Sequence, residues 1–131
     1  MEYKDDLWQE LPEKVSPEKL PEGGGKTRLR QCFIPPCKHA SPNKLHILEK
    51  TIKHEDLANI PVLIERSIYQ IYCNACDHHF FLILERQFDK EMLAERNNST
   101  EYLRGMNPVR VYAADEKNNI LEEIGWFRDF D

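Results

Sequence analysis

All four cysteines of this 131-residue chain fall in two close pairs, Cys32/Cys37 and Cys73/Cys76. The second pair lies in IYCNACDHHFFLIL, a Cys-x-x-Cys turn between two apolar runs. The first lies in QCFIPPCKH, a wider turn shaped by Pro35 and Pro36. A thiolate pair on a tight turn can fill two positions of a tetrahedral zinc ion, so two such turns complete a closed structural site. The pattern predicts that Cys32, Cys37, Cys73 and Cys76 bind one Zn2+ and that this metal helps to hold the fold. His39, just past Cys37, and His78 or His79, just past Cys76, are alternative ligands. Two disulfides, or four inert thiols, are the readings without a metal.

The choice between metal and disulfide depends on compartment. The start, MEYKDDLWQE, is charged and acidic, without the apolar segment of a signal peptide. No run approaches the roughly 18 apolar residues that a membrane span needs. The expectation is a cytoplasmic, intracellular protein with no membrane partner, where clustered cysteines serve as metal ligands more often than as disulfides.

Charge narrows the partners. A net charge of −5 argues against indiscriminate coating of nucleic acid. Residues 27–56 nevertheless carry six basic and three acidic groups, plus His39, His46 and His54. Arg28, Arg30, Lys38, Lys44, Lys50 and Lys53 are the candidate phosphate contacts there, with Phe33 or Tyr72 available to stack on a base.

Residues 1–26, with Pro12, Pro17, Pro21, the run Gly23-Gly24-Gly25 and seven acids, read as a flexible acidic arm. Residues 27–131 read as a single zinc-stabilised domain. Within it, 27–34 and 44–51 are expected to be strands flanking the first cysteine turn, and 62–72 and 79–84 strands flanking the second. A helical turn is expected over 54–60, stopped by Pro61. Phe88, Met92 and Leu93 predict an amphipathic helix over 88–96, and a further turn over 100–104 is stopped by Gly105. Residues 109–113 and 120–127 suggest a final hairpin, followed by an acidic-aromatic tail.

Residues 27–86 so arranged resemble the zinc-ribbon class, in which two β-hairpins clasp one zinc between cysteine-bearing tips. The resemblance implies that the four cysteines are the ligands, turn by turn; the first turn departs from the usual spacing, with four residues between its cysteines. The expected fold class is α+β: a small zinc-ribbon-like antiparallel β domain (27–86), then a C-terminal amphipathic helix and a further β-hairpin (87–131).

Four thiolates around zinc leave no open position for substrate or water, so the site is expected to be structural and the protein not an enzyme. Asp77-His78-His79 invites comparison with metal-dependent nucleases or hydrolases, but the strand-like HFFLIL follows it where a ligand-bearing helix is needed. Gly23-Gly24-Gly25-Lys26-Thr27 lacks the first glycine and the preceding strand of a phosphate-binding loop, and reads as a linker. The expected function is a non-enzymatic zinc-binding protein-interaction or regulatory adaptor, for instance one attached to a transcription or replication machine. Trp8, Trp126, Phe127 and Phe130 are its candidate partner contacts. A nucleic-acid-binding zinc ribbon using segment 28–53 is the alternative, and a metal-dependent nuclease or hydrolase a further one.

Overall fold

The structure, a computed structural model, describes residues 4–16, 27–28, 44–97, 99–100, 103 and 107–128. A short 3-10 helix, Asp5–Glu10, precedes strands β1 (Lys14–Val15) and β2 (Thr27–Arg28). Then come β3 (Leu45–Glu55), β4 (Val62–Cys73), β5 (His78–Asp89), a single-turn helix α1 (Lys90–Glu95), β6 (Val109–Ala114) and β7 (Ile120–Phe127). Strands β3 to β7 form one antiparallel sheet in sequential order, a meander.

Alternation explains the two faces of this sheet. Along β4, Glu65, Ser67, Tyr69, Ile71 and Cys73 are buried while the residues between them are half-buried. A strand turns successive side chains to opposite faces, so these five lie on one side. Cross-strand register carries that side onward: Tyr69 faces Leu82, Ile71 faces Phe80 and Ser67 faces Leu84 on β5. Leu82 and Leu84 in turn face Ala113 and Val111 on β6. With Leu45 and Ile47 from β3, they form the main core.

The N-terminal segment covers this first face. Trp8, Leu11 and Val15 belong to the same buried cluster. The segment is fixed at both sheet edges: the Lys4 amide donates to the Ile47 carbonyl of β3 at 2.7 Å, and Ser16 and Trp126 of β7 exchange two backbone hydrogen bonds of 2.8 and 3.0 Å. Residues 4–16 thus run across the sheet as a strap. A second cluster, Phe88, Leu93 and Leu103 with Leu63 and Met92 against it, lies where β5 passes into α1. Asp89 caps that helix by accepting from the Met92 amide at 3.0 Å.

Several expectations need correction. The fold is not a balanced α+β domain: the expected amphipathic helix over 88–96 is only the six-residue α1, because Phe88 and Asp89 still belong to β5. The strands expected on two separate hairpins share one five-stranded sheet, in which β3 pairs directly with β4; residues 29–34 lie outside the described residues. Thr27 and Arg28 pair with Val15 and Lys14 rather than with 44–51. Residues 54 and 55 extend β3 where a helical turn was expected. Residues 5–16, read as part of a flexible arm, hold a helix, a strand and three core side chains. Strands 109–114 and 120–127 form the expected final hairpin, but as the last two strands of the same sheet.

Candidate functional site

The Cys73–Cys76 turn joins β4 to β5 at one end of the sheet. Its geometry follows from a single left-handed residue, Asp77, at φ 54°. That conformation is uncommon outside glycine, asparagine and aspartate, and it closes the turn with an Asp77 amide to Cys73 carbonyl hydrogen bond of 2.9 Å. The Tyr72 hydroxyl donates to the Asp77 carboxylate at 2.9 Å and helps to hold it there. Cys73 is buried in the main core and Cys76 packs against the same cluster, so both cysteines lie toward the strap-covered face.

The chain that bears the other cysteine pair comes back to this turn. The Asn74 amide donates to the Lys44 carbonyl at 2.9 Å, one residue before β3 begins. The Asn74 side-chain amide and His46 Nε2 lie 3.1 Å apart. Cys32, Cys37 and His39 lie outside the described residues, as do Arg30, Lys38 and Phe130. Among the described residues no three His, Cys, Asp or Glu side chains are grouped as a metal would need. Cys73 and Cys76 provide a thiolate pair of the right chemistry for half of a zinc shell. His79 is a poor substitute for the missing half: it sits one residue out of phase with His78, the partner of Cys73, and its ring lies 5.0 Å from that of Tyr72 on the opposite face.

The second face of the sheet carries a row of charge. Lys53, Arg66, Glu85 and Arg110 are successive cross-strand partners on β3, β4, β5 and β6. Arg66 Nε donates to the buried Glu85 carboxylate at 3.1 Å, and its Nη1 donates to Glu55 at 2.8 Å. Arg110 reaches Glu85 at 3.5 Å and donates through Nε to Glu123 at 2.7 Å. Its guanidinium also lies 4.4 Å from the centre of the Tyr112 ring. Burial opposes the charge on Arg66, but hydrogen bonds with Glu55 and Tyr112 and the field of Glu85 outweigh it, so its pKa is raised. For Arg110 the hydrogen bond with Glu123 dominates and likewise raises the pKa.

Burial also pushes the Tyr112 phenol up, helped by the nearby charge of Glu85, and pushes up Tyr69 on the first face. An acid whose folded pKa is raised favours the fold while it is protonated. That contribution is complete below the ordinary tyrosine value of about 10 and is lost as pH rises through the folded values. The denaturation midpoint is therefore expected to fall above about pH 10, and less steeply for Tyr112→Phe than for the native chain. Identical alkaline slopes in urea titrations of the two proteins would contradict this.

The remaining predicted site residues separate. Lys50 lies on the first face, bonded to Glu10 at 3.1 Å and 5.6 Å from the Tyr69 ring centre. Lys53 lies on the second face, and Lys44 is exposed at the sheet end. The backbone of Arg28 belongs to the small β1–β2 pair. The described lysines of segment 28–53 therefore share no single face. Trp8 and Trp126, expected as partner contacts, are only 9% and 8% exposed, and Phe127 packs against the core. These aromatics build the fold. Sequence reading missed Arg66, Glu85, Arg110 and Tyr112; the available signal was the recurrence of a charge at one phase of consecutive alternating strands.

In comparisons with protein families, curated proteins and solved structures, nothing matches this chain.

Proposed function

We propose that this chain is a non-enzymatic, zinc-stabilised protein-interaction module that works inside the cell, where its thiols stay reduced. The supporting observation is the sheet end at Cys73–Cys76. A left-handed Asp77 closes the turn, and the hydrogen bond to Lys44 brings the chain downstream of Cys32 and Cys37 alongside it. On this reading the first cysteine pair completes the shell and zinc ties the start of β3 to the β4–β5 turn. No helix among the described residues is long and apolar enough to cross a membrane.

The partner surface on this reading lies at the sheet edges. Ile52 and Leu57 stand exposed around the end of β3, and Ile120 and Leu121 at the start of β7. Elemental analysis of the chain purified without added chelator should find one zinc per molecule. Affinity capture should then recover a protein that is lost when Ile120 and Leu121 are both replaced by aspartate in a variant that remains folded. A metal-free native chain sinks the zinc claim, and an identical capture profile from the variant sinks the proposed surface.

A further inference from the structure

The charge row of the second face is out of balance at one end. Glu85 is shared between Arg66 and Arg110, while Glu55 and Glu123 serve those same two arginines from the flanks. Lys53 faces Arg66 directly across β3 and β4 and has no ion-pair partner among the described residues. Like charges directly opposite on a sheet are destabilising. The β3–β4 pair holds this arrangement beside an open cleft of about 390 Å³. That volume falls within the range of about 300–1,000 Å³ typical of small-molecule sites.

The floor of the cleft is apolar. Ile68 and Ile83 pair across β4 and β5, and Ile120, 52% exposed, lines the same cleft from β7. Glu85 also lines the cleft, between Arg66 and Arg110 and bonded to both, so Lys53 is the cation on this side of the aliphatic floor that a ligand can meet. A molecule with a single anionic group on an apolar body matches both parts. Its anion would relieve the Lys53–Arg66 opposition, and its body would cover exposed Ile120 and half-buried Ile68, with Ile83 beneath them.

We propose that this cleft is a binding site for a small amphiphilic anion, a carboxylate or sulfonate on an apolar body, held between Lys53 and Arg66 with the body over Ile68, Ile83 and Ile120. The site is separate from the cysteine turn and does not depend on zinc. The chain as a whole carries −5, so nonspecific attraction of anions works against binding and a saturable anion site stands out.

The test uses 1-anilinonaphthalene-8-sulfonate, which is fluorescent when bound, with decanoate and decanol as competitors. The proposal expects one saturable site per chain, displacement by decanoate at concentrations where decanol has little effect, and affinity reduced about tenfold or more in Lys53→Glu, equivalent to ~1.4 kcal/mol. Lys53 is exposed and faces Arg66, so this variant should keep or slightly raise the native melting temperature, and Ile120→Ser should weaken binding without disturbing the fold. Absence of saturation overturns the proposal. So does equal competition by decanol, undiminished affinity in folded Lys53→Glu, or displacement by inorganic phosphate as effective as that by decanoate.

Discussion

On the zinc reading proposed above, replacing Cys76 with serine is expected to abolish metal binding and lower the melting temperature by roughly 10 °C or more. Structural zinc contributes its binding free energy to folding, on the order of 10–16 kcal/mol in isolated zinc-finger peptides. Losing even a few kcal/mol moves the midpoint of a domain of this size by roughly 4 °C per kcal/mol. Cys76 is the informative position because it is half-buried, whereas Cys73 is fully buried in the core and its loss would destabilise the fold with or without a metal. As a packing residue alone, Cys76 changed to serine should cost only ~1 kcal/mol. A chelator provides the second arm: it should depress the native chain and add little to the variant, since both remove the same interaction. A variant melting within about 4 °C of the native chain, with chelator inert on both, would leave the cysteine pair as packing only.

Trp8→Ala is expected to destabilise the fold by about 3–5 kcal/mol, the cost of emptying a large aromatic site in a core. The reason lies in what the ring touches. Trp8 belongs to the cluster that includes Ile47, Ile71, Phe80 and Val111, side chains from β3, β4, β5 and β6. A tryptophan in a solvated arm would give a change within about 0.5 kcal/mol, so urea denaturation separates the alternatives cleanly. Leu11→Ala should act in the same direction with a smaller effect, because a smaller side chain leaves a smaller cavity.

Strands β4 to β7 were largely legible because their information is local: alternation, apolar runs and turn residues between them. The Asp115–Asn119 turn shows this well. Asp115 accepts hydrogen bonds from the amides of Lys117 and Asn119, and Asn118 takes the left-handed conformation at φ 65°. The strap was not legible. Leu7, Trp8, Leu11 and Val15 are sparse among acids and prolines, and the backbone hydrogen bonds that fix the segment to the sheet come from the distant edges of β3 and β7. Short-range propensity cannot report such a partner.

Most of the strand expected over 27–34 lies outside the described residues, and the part that is described was not legible for the same physical reason. Thr27 and Arg28 find their partner upstream in β1, and β3 finds its partner in β4, although the cysteine turn between 28 and 44 suggested that they pair with one another. Within the charge row, Glu65-Arg66 looked like an interruption of an apolar strand. In the sheet, Glu65 goes to the first face, where its carboxylate meets His54 Nε2 at 3.1 Å, and Arg66 goes to the second. The dipeptide fixes neither partner, since each comes from another strand.

The strap also sets an order of events during synthesis. Its residues leave the ribosome before the sheet they cover, yet the Ser16–Trp126 hydrogen bonds that anchor one end must wait for β7 to emerge. Until then the apolar side of the growing meander has no lid, and Trp8 has no completed surface on which to rest. Such long-range closure is slow, because the loop entropy is spent before the contacts repay it. A nascent chain stalled before β7 would therefore leave that side of the sheet uncovered, with the strap, made before the sheet, settling after it.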